Sequence, residues 1–316
     1  MELIRGLHNL ASEHRGCVLS IGNYDGVHRG HQALLARLVS HAQAFKLPAT
    51  VMVFKPTPRE YFAPADAPKR VLTLRDKLAA LQACGVERVV IARFDEQLAA
   101  LGAQDFVERV LVKQLGIRAL VVDDDFHFGY QRAGDFALLQ GMGRQHNFVV
   151  EQLAMLAVKG ERCSSTALRL ALANAALDRA ASLLGRRFTI SGCVRHGLKL
   201  GRELGMATAN ISLPQPPPLP LGVYAVRARI EGRLAGWAGV ASLGVRPTLG
   251  LTQCLLETHL FADPGDIYGQ LLQVEFHRYL RPELRFDNLN TLATQMKLDA
   301  ANAKTWFANA NRREAP

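Results

Sequence analysis

Two histidines three residues apart, His28 and His31, stand at the start of a predicted helix, directly after a glycine-rich turn. The turn, residues 22–30, follows the apolar run 17–21, which predicts a buried strand. Three glycines in so short a turn indicate a backbone that bends sharply or approaches a ligand closely. Backbone N–H groups, a helix N-terminus and two imidazoles brought together this way suit the binding of nucleotide phosphates. Solvated or capping histidines are the alternative for the pair taken alone.

The elements that must position this turn are apolar strands alternating with helical stretches, from residue 17 to about 158. The predicted strands are 17–22, 49–54, 88–92, 118–122 and 148–153, and the predicted helices are 31–46, 74–84 and 103–115. Such alternation predicts an α/β doubly wound parallel sheet. Ligands of these sheets bind at the carboxyl ends of strands near a switch point. We therefore expect the glycine-rich turn and the acidic residues 123–125 to lie at the binding edge.

The pattern changes after residue 185, beyond a helical segment over 166–184. Short β-like runs follow at 188–195, 222–230, 236–243, 254–261 and 270–278, separated by turns rich in proline and glycine. They predict a small antiparallel β-barrel, closed by a C-terminal helix over about 288–308. We therefore predict two domains, 1–184 and 185–316.

Composition restricts the partners and the compartment. The net charge of +10 is dispersed, without a basic tail, and this favours attraction of anionic substrates over a nucleic-acid partner. No apolar run reaches the roughly 18 residues of a membrane span, and the N-terminus lacks a secretory pattern. The five cysteines are scattered and predict neither disulfides nor a zinc site. We expect a cytoplasmic protein without a membrane partner.

The second half carries its own candidate chemistry. Four glycines interleaved with Lys and Arg over 192–205 suggest a loop that covers phosphates, although plain β-turns would give the same pattern. Thr208 and Asn210 place two oxygen donors on one face of an extended chain, which suits Mg²⁺. Glu257 lies within an apolar strand, where a buried acid usually has a partner or a task. The alternative for Glu257 is a salt bridge at a strand end.

Three further segments of the first half are candidates. Pro56 and Pro58 stiffen a loop whose aromatic neighbours could line a pocket, with a plain anchored loop as the alternative. The three adjacent carboxylates of residues 123–125 could indicate a Mg²⁺ site, and partly solvated or capping groups on a loop are an equal alternative, so we do not name them as metal ligands. The segment 164–169 opens a helix, so its hydroxyls first predict capping, while Arg169 one turn on could reach an anion at the helix start.

Together these motifs resemble the bacterial bifunctional riboflavin kinase/FMN adenylyltransferase (FAD synthetase) family. Residues 22–31 resemble the HxGH motif of nucleotidyltransferases, and 164–169 resemble their S-T-x-x-R signature. Residues 123–135 are similar to G-x-D-F-R-F-G…R-x-G-D, and 192–210 to the kinase motif G-x-V-x-H-G-x-x-x-G-R-x-x-G-x-P-T-A-N. The resemblance covers about residues 2–307, with the motifs in family order.

The resemblance implies two reactions: riboflavin and ATP give FMN and ADP, and FMN and ATP give FAD and pyrophosphate. It implies Mg²⁺ as cofactor, ATP as co-substrate, flavins as substrate and product, and apo-flavoproteins as FAD acceptors. The implied catalytic residues are His28, His31, Arg169 and Glu257, the last as the base for the riboflavin 5′-hydroxyl. The implied ATP-binding residues are Gly22, Asn23, Asp25, Gly26, Ser165, Thr166, Gly197, Gly201 and Arg202. The implied flavin-binding residues are Pro56, Pro58, Arg59, Asp125 and Phe128, and the implied metal ligands are Thr208 and Asn210.

The chain departs from the family pattern at several positions. They are Tyr24 for Phe, Lys55 for an acid, Asp123 for Gly, His127 for Arg, Ala207 for Pro and Leu284 for Gln. These departures leave two alternatives to the bifunctional enzyme open: a paralogue with one active module, and a flavin-binding regulator without turnover. The retained polar residues argue against the regulator, because flavin binding alone does not require them.

Overall fold

A computed structural model describes residues 1–154, 156–158, 160–197, 205–248 and 251–314. The chain forms two compact units. The first comprises Met1–Pro68 and Lys77–Ser165, and the second comprises Lys69–Asp76 and Thr166–Pro316. Residues 166–184 therefore group with the second unit, whereas the sequence pattern places them in the first domain. Among the described residues, no helix combines the length and apolar content needed to cross a bilayer.

The first unit is built on a six-stranded parallel sheet. Its strands are β1 (Glu2–Arg5), β2 (Cys17–Ile21), β3 (Ala49–Lys55), β4 (Arg88–Arg93), β5 (Ile117–Asp123) and β6 (Val149–Leu153). They are arranged in the order β1-β4-β3-β2-β5-β6. The chain runs outward from β2 through β3 and β4, then returns to β5 on the other side of β2. The switch point predicted for the binding edge is thus at the carboxyl ends of β2 and β5.

Helices connect and cover this sheet. They are α1 (Arg29–Phe45), α2 (Pro58–Phe62), α3 (Leu74–Ala83), α4 (Glu96–Ala99), α5 (Ala103–Asp105, continued with π-type hydrogen bonds over Phe106–Leu115) and α6 (Phe136–His146). Short 3-10 turns lie at Leu7–Asn9, Ser12–His14 and Tyr130–Arg132, and a two-stranded ribbon pairs β7 (Ala157–Val158) with β8 (Glu161–Arg162). The apolar faces of β2, β4, β5 and α5 form one core cluster.

The second unit is an antiparallel sheet that nearly closes on itself. Its strands are β9 (Thr189–Cys193), β10 (Ala209–Leu213), β11 (Gly222–Ile230), β12 (Gly236–Thr248), β13 (Leu251–Leu260) and β14 (Leu271–Pro282). The order is β10-β13-β12-β11-β14-β9, and a bridge between Arg195 and Asn210 links the two edges. The predicted barrel is confirmed in this near-closed form.

Three helices belong mostly or wholly to the second unit. They are α7 (Ser165–Ala173), α8 (Leu177–Leu184) and α9 (Leu289–Glu314). One face of α9, with Ala300, Ala303 and Phe307, packs on the outward residues of β11 and β12, including Val223 and Val240. Helix α9 thereby covers one side of the sheet and leaves a cavity beside its first two turns.

Candidate functional sites

The turn after β2 uses left-handed backbone at two non-glycine residues. Tyr24 has a φ of 47° and Val27 a φ of 42°, beside Gly26 at 90°. The Tyr24 hydroxyl donates to Ser20 Oγ at 2.6 Å, and Ser20 Oγ donates to the Val121 carbonyl at 2.5 Å. This buried chain of hydrogen bonds ties the turn to β5. Packing and hydrogen bonding therefore hold a backbone that side chains usually avoid.

His28 and His31 lie together at the first turn of α1, with ring centroids 3.7 Å apart. His28 is buried and caps the helix, since its Nδ1 accepts the backbone N–H of His31 at 3.3 Å. An accepting Nδ1 carries no proton, so the neutral ring of His28 has its proton on Nε2. The pair thus combines a structural cap with an N–H donor at a helix N-terminus.

A lysine that the sequence pattern did not indicate joins this site. Lys77 donates from Nζ to the Asn23 carbonyl at 2.7 Å, although 54 residues separate them. Burial, with smaller contributions from the neighbouring His28 and the Lys77 ammonium, holds the pKa of His31 well below its ordinary value. His31 is therefore neutral near pH 7, and it can stabilise developing negative charge by hydrogen bonding rather than as a cation.

The helix start at residue 165 is tied to the same turn. Ser165 Oγ donates to the Asp25 carbonyl at 2.9 Å, and Asp25 is buried. Within the first unit, Ser165 at the start of α7 thus contacts Asp25 in the turn that also holds Gly22, Asn23 and Gly26. Thr166 and Arg169 fall in the second unit, where Thr166 is exposed and Arg169 donates from Nε to the Lys69 carbonyl at 3.0 Å.

The acidic residues after β5 have unequal environments. Asp124 and Asp125 are exposed and lie 3.5 and 3.4 Å from the Arg162 guanidinium. Asp123 is half-buried, and this burial, reinforced by the charges of Asp125 and Asp124, raises its pKa to about 6. Within the described part of the chain, no cluster of three His, Cys, Asp or Glu side chains could hold a metal ion.

We expect Asp123→Asn to stabilise the first unit at pH 7.5 by an amount on the order of 1 kcal/mol. A raised carboxyl pKa stabilises the fold at low pH, and that contribution is lost as the pH rises through about 6. The gain should therefore shrink at pH 4.5. Urea unfolding at both pH values measures it, with the exposed neighbour Asp124→Asn as the control. An equal gain at both pH values would contradict the assignment.

The proline loop after β3 lies beside an aromatic cluster. A cis peptide joins Lys55 to Pro56, and Pro58 opens helix α2 behind the capping residue Thr57. Edge-to-face contacts with centroids 5.2–5.7 Å apart connect the rings of Phe54, Tyr61, Phe62 and Phe94. Arg59 and Lys55 are exposed on the same loop. The cluster includes large exposed apolar surface, since Phe62 is 67% exposed, and this surface is available to a planar ligand.

The two other predicted flavin-binding residues of the first unit differ in exposure. Asp125 is exposed, whereas Phe128 is buried and contacts the rings of Phe106 and Phe126 at 5.8 and 5.6 Å. Backbone hydrogen bonds pair Phe128 with Gly134 in both directions. Phe128 therefore anchors this loop to the core, and the half-buried Phe126 lies nearer the surface.

A cavity of about 260 Å³ lies in the second unit between the sheet and α9, and Glu257 lines it. Alternate residues of β13 are buried, while Glu257 is half-buried on the cavity side. The expectation of a buried acid was wrong, because the strand period of two turns this residue toward the cavity rather than the core. Other lining residues include Ser242, Arg281, Leu284, Phe286 and Met296.

A second cavity, of about 880 Å³, is lined by Thr208, just ahead of β10, and by Asn210 within that strand. Asn210 Nδ2 donates to the Thr208 carbonyl at 3.3 Å, while its buried Oδ1 has no hydrogen-bond partner within the described residues. An orphaned amide oxygen beside a hydroxyl is a donor set that fits a hard cation. A Cβ on Gly197 would come within 2.6 Å of the Asn210 amide, so only glycine leaves this room. Gly201 and Arg202 lie outside the described residues.

Antiparallel pairing brings the two sets of candidates together. Asn210 is opposite Glu257 in the register of β10 and β13, so both side chains emerge on one face of the sheet. Thr208 and His259 line both cavities. The second unit thus places a carboxylate, an orphaned amide oxygen and a hydroxyl where two cavities meet.

An ion pair that sequence reasoning missed borders the smaller cavity. Arg281 and Asp299 form two parallel hydrogen bonds of 2.9 and 2.6 Å, and Asp299 is only 3% exposed. Gln295 donates to the same carboxylate at 2.9 Å. The pair fastens α9 to the end of β14 with bidentate geometry. The spacing of Arg281 and Asp299 along the sequence carries no sign of this contact.

Comparison with known proteins agrees with the two sites. A family model described as FAD synthetase matches residues 10–167, and one described as riboflavin kinase matches residues 184–307. A bifunctional riboflavin kinase/FMN adenylyltransferase of Pseudomonas fluorescens is 48% identical over 314 residues, covering 99% of this chain and 100% of that protein. A protein of the same description from Escherichia coli K12 is 46% identical, covering 97% and 98%.

A solved structure shares the fold. It is described as a macrolide-efflux protein from Streptococcus pneumoniae and matches with a TM-score of 0.78 at 27% identity, covering 95% of this chain and 97% of that chain. The resemblance inferred from the motifs is thus confirmed along nearly the whole length. This protein belongs to the bacterial family of bifunctional riboflavin kinase/FMN adenylyltransferases.

Proposed function

We propose that the two predicted domains divide the two reactions, with FMN adenylylation in residues 1–184 and riboflavin phosphorylation in residues 185–316. The chain is a riboflavin kinase and FMN adenylyltransferase, and relatives aligned over both halves make a single-activity paralogue or a non-catalytic regulator the less favoured alternative. The observation that supports the division is the register of β10 and β13, which sets Asn210 beside Glu257. The predicted domain boundary near residue 185 remains part of this proposal.

In the kinase reaction, Glu257 acts as general base. Its carboxylate accepts the proton of the riboflavin 5′-hydroxyl while that oxygen attacks the γ-phosphorus of ATP, and ADP departs. The cavity between the sheet and α9 holds the flavin, and the larger cavity holds ATP. Gly197, Gly201 and Arg202 would contact the nucleotide.

The same site fits Mg²⁺, with Thr208 and Asn210 as its protein ligands. The orphaned Oδ1 of Asn210 supports this assignment. When bound, the ion would neutralise charge on the ATP phosphates. Thr208 and Asn210 themselves orient the phosphate chain toward the smaller cavity.

In the adenylylation reaction, a phosphate oxygen of FMN attacks the α-phosphorus of ATP and pyrophosphate departs. Positioning and charge stabilisation account for the rate, because no covalent enzyme intermediate is needed. His28, through Nε2–H, and neutral His31 stabilise charge on the α-phosphate and the leaving group. The turn residues, Ser165 and Thr166 bind the triphosphate, and Arg169 contacts its β- and γ-phosphates.

The flavin site of the first unit is proposed at two loops. Pro56, Pro58 and Arg59 present the loop after β3, whose exposed aromatic rings suit an isoalloxazine. Asp125 and Phe128 shape the loop after β5. The basic surface of the chain, with its net charge of +10, favours the approach of FMN and ATP, both of which are anions.

Product analysis tests the function directly. The purified chain is incubated with riboflavin and ATP, and separately with FMN and ATP, each with Mg²⁺ or with EDTA, and flavins are resolved by chromatography. We expect FAD from both substrates with Mg²⁺ and none with EDTA. FMN alone from riboflavin, with no FAD from FMN, would contradict adenylylation by the first unit. FAD formed in EDTA would contradict the Mg²⁺ requirement.

We also propose a cytoplasmic location and delivery of FAD to apo-flavoproteins. None of the five cysteines, all of them among the described residues, forms a disulfide, as a reducing compartment favours. Cell fractionation tests the first proposal, and recovery of the chain outside the cytoplasm would contradict it. For the second, FAD transfer to an apo-flavoprotein should exceed the rate set by FAD release into solution.

A further inference from the structure

His259 lies where the two cavities of the second unit meet. Among the described residues that line these cavities, only Thr208 and His259 line both of them. Its Nδ1 lies 2.9 Å from the Ala207 carbonyl oxygen. A carbonyl can only accept, so Nδ1 carries the proton and donates it to this bond. The imidazole therefore has a fixed orientation at the junction.

His259 holds the segment that leads into β10. The ladder between β10 and β13 begins at Ala209 opposite Thr258, so Ala207 lies beyond its end. Within this segment, the side-chain amide of Asn210 donates to the carbonyl of Thr208. The imidazole thus extends the hydrogen bonding past the last ladder pair. The residue that it binds, Ala207, stands where the riboflavin kinase motif has proline, and alanine leaves the backbone more conformational freedom than proline.

We propose that His259 is a positioning residue for ATP in riboflavin phosphorylation. Its Nδ1–H···O=C bond to Ala207 fixes the segment that presents the Thr208 hydroxyl and the Asn210 amide oxygen to the nucleotide. His259 acts through Ala207 and requires no contact with the transferred phosphoryl group. The inference rests on the proposed function of the second unit and assigns a role within that same site.

Two variants distinguish the roles of the two ring nitrogens of His259. The side-chain amide nitrogen of asparagine lies near the place of Nδ1, whereas that of glutamine lies near the place of Nε2. His259→Asn therefore keeps the donor to Ala207 and removes the rest of the ring. His259→Gln keeps a polar group near Nε2 and loses the donor. A role in positioning predicts rescue by Asn and not by Gln.

The experiment measures riboflavin phosphorylation by the full chain at saturating riboflavin and varied ATP. We expect His259→Ala to raise the KM for ATP about five- to tenfold, the effect of one lost hydrogen bond, with kcat within about twofold. His259→Gln should match it, and His259→Asn should stay within about twofold of wild type. Calorimetric binding of ADP with Mg²⁺ should weaken by the same factors. FMN adenylylation by the same preparations should not change.

Several results would overturn the inference. The first is an unchanged KM for ATP in His259→Ala. The second is a KM for ATP in His259→Asn as high as that of His259→Ala. The third is a wild-type KM for ATP in His259→Gln, which would assign the effect to Nε2. If the wild-type chain makes no FMN, the proposed function fails rather than this inference. The affinities of wild type and the His259 variants for ADP with Mg²⁺ then still decide the role of His259. If His259→Ala does not fold, the comparison of the Asn and Gln variants remains decisive.

Discussion

Glu257→Gln is expected to reduce riboflavin phosphorylation by at least about 100-fold, because removing a general base forfeits roughly that much rate. Glutamine keeps the shape and hydrogen bonding of the side chain, but its amide cannot take the proton of the 5′-hydroxyl. Binding of riboflavin should change little, so the loss should appear in kcat. Steady-state FMN production measures it, and FMN-to-FAD conversion in the same preparation should stay within about twofold of wild type.

The matched control for this substitution is Glu231→Gln, on the exposed turn after β11. It changes the same chemical group in the same unit, away from both cavities. Near-normal FMN formation by Glu257→Gln would exclude Glu257 as the base. Loss of both activities in a folded Glu257→Gln protein would contradict the division of the reactions between the units.

His31→Ala should have the opposite phenotype, with FMN-to-FAD conversion lowered by about 100- to 1,000-fold, as for loss of one charge-stabilising donor. Riboflavin phosphorylation should persist, so FMN accumulates when riboflavin is supplied. Because burial holds the pKa of His31 well below its ordinary value, the wild-type rate should not fall through its titration between pH 8 and pH 6. Chromatography of the flavins over this pH range measures both expectations.

The control is His8→Ala, which removes an exposed imidazole from the first unit. It should leave both activities unchanged. If the rate of FMN-to-FAD conversion falls about tenfold for each unit that the pH decreases towards 6, in His31→Ala and in wild type alike, then a group other than His31 titrates. FAD formation by His31→Ala at the wild-type rate would remove His31 from the catalytic assignment.

Five strands and three helices of the first unit followed from local pattern, whereas helices α2, α4 and α6 were not predicted. The run predicted as strand 49–54 is Ala49–Lys55, and the helix predicted over 31–46 is Arg29–Phe45. Strand β1 (Glu2–Arg5) was missed, because it has four residues, half of them charged. It is held by pairing with β4, where Arg88 donates to the Glu2 carboxylate at 2.5 Å. That stabilisation comes from a partner 86 residues away and has no local trace in the sequence.

The candidate sites were predictable to the extent that they depend on motif chemistry. The motifs indicated His28, His31, Asn210 and Glu257, but not that Lys77 would lie beside His31. Helical periodicity marks Lys77 only as a polar position on α3. The position of Asn210 opposite Glu257 arises from strand register, which depends on the whole sheet. Strand β10 itself escaped prediction, since its five residues merge with the glycine-rich segment before it.

The pairing of Asn210 with Glu257 also restricts how this chain can change length over evolutionary time. Side chains alternate between faces along a strand, so one residue inserted or deleted within β13 ahead of Glu257 would turn the carboxylate toward the core. Compensation would need a matching change in β10, and two such events rarely coincide. Length variation among descendants of this gene should therefore collect in turns such as 231–235, which leave the alternation intact and lie away from both cavities.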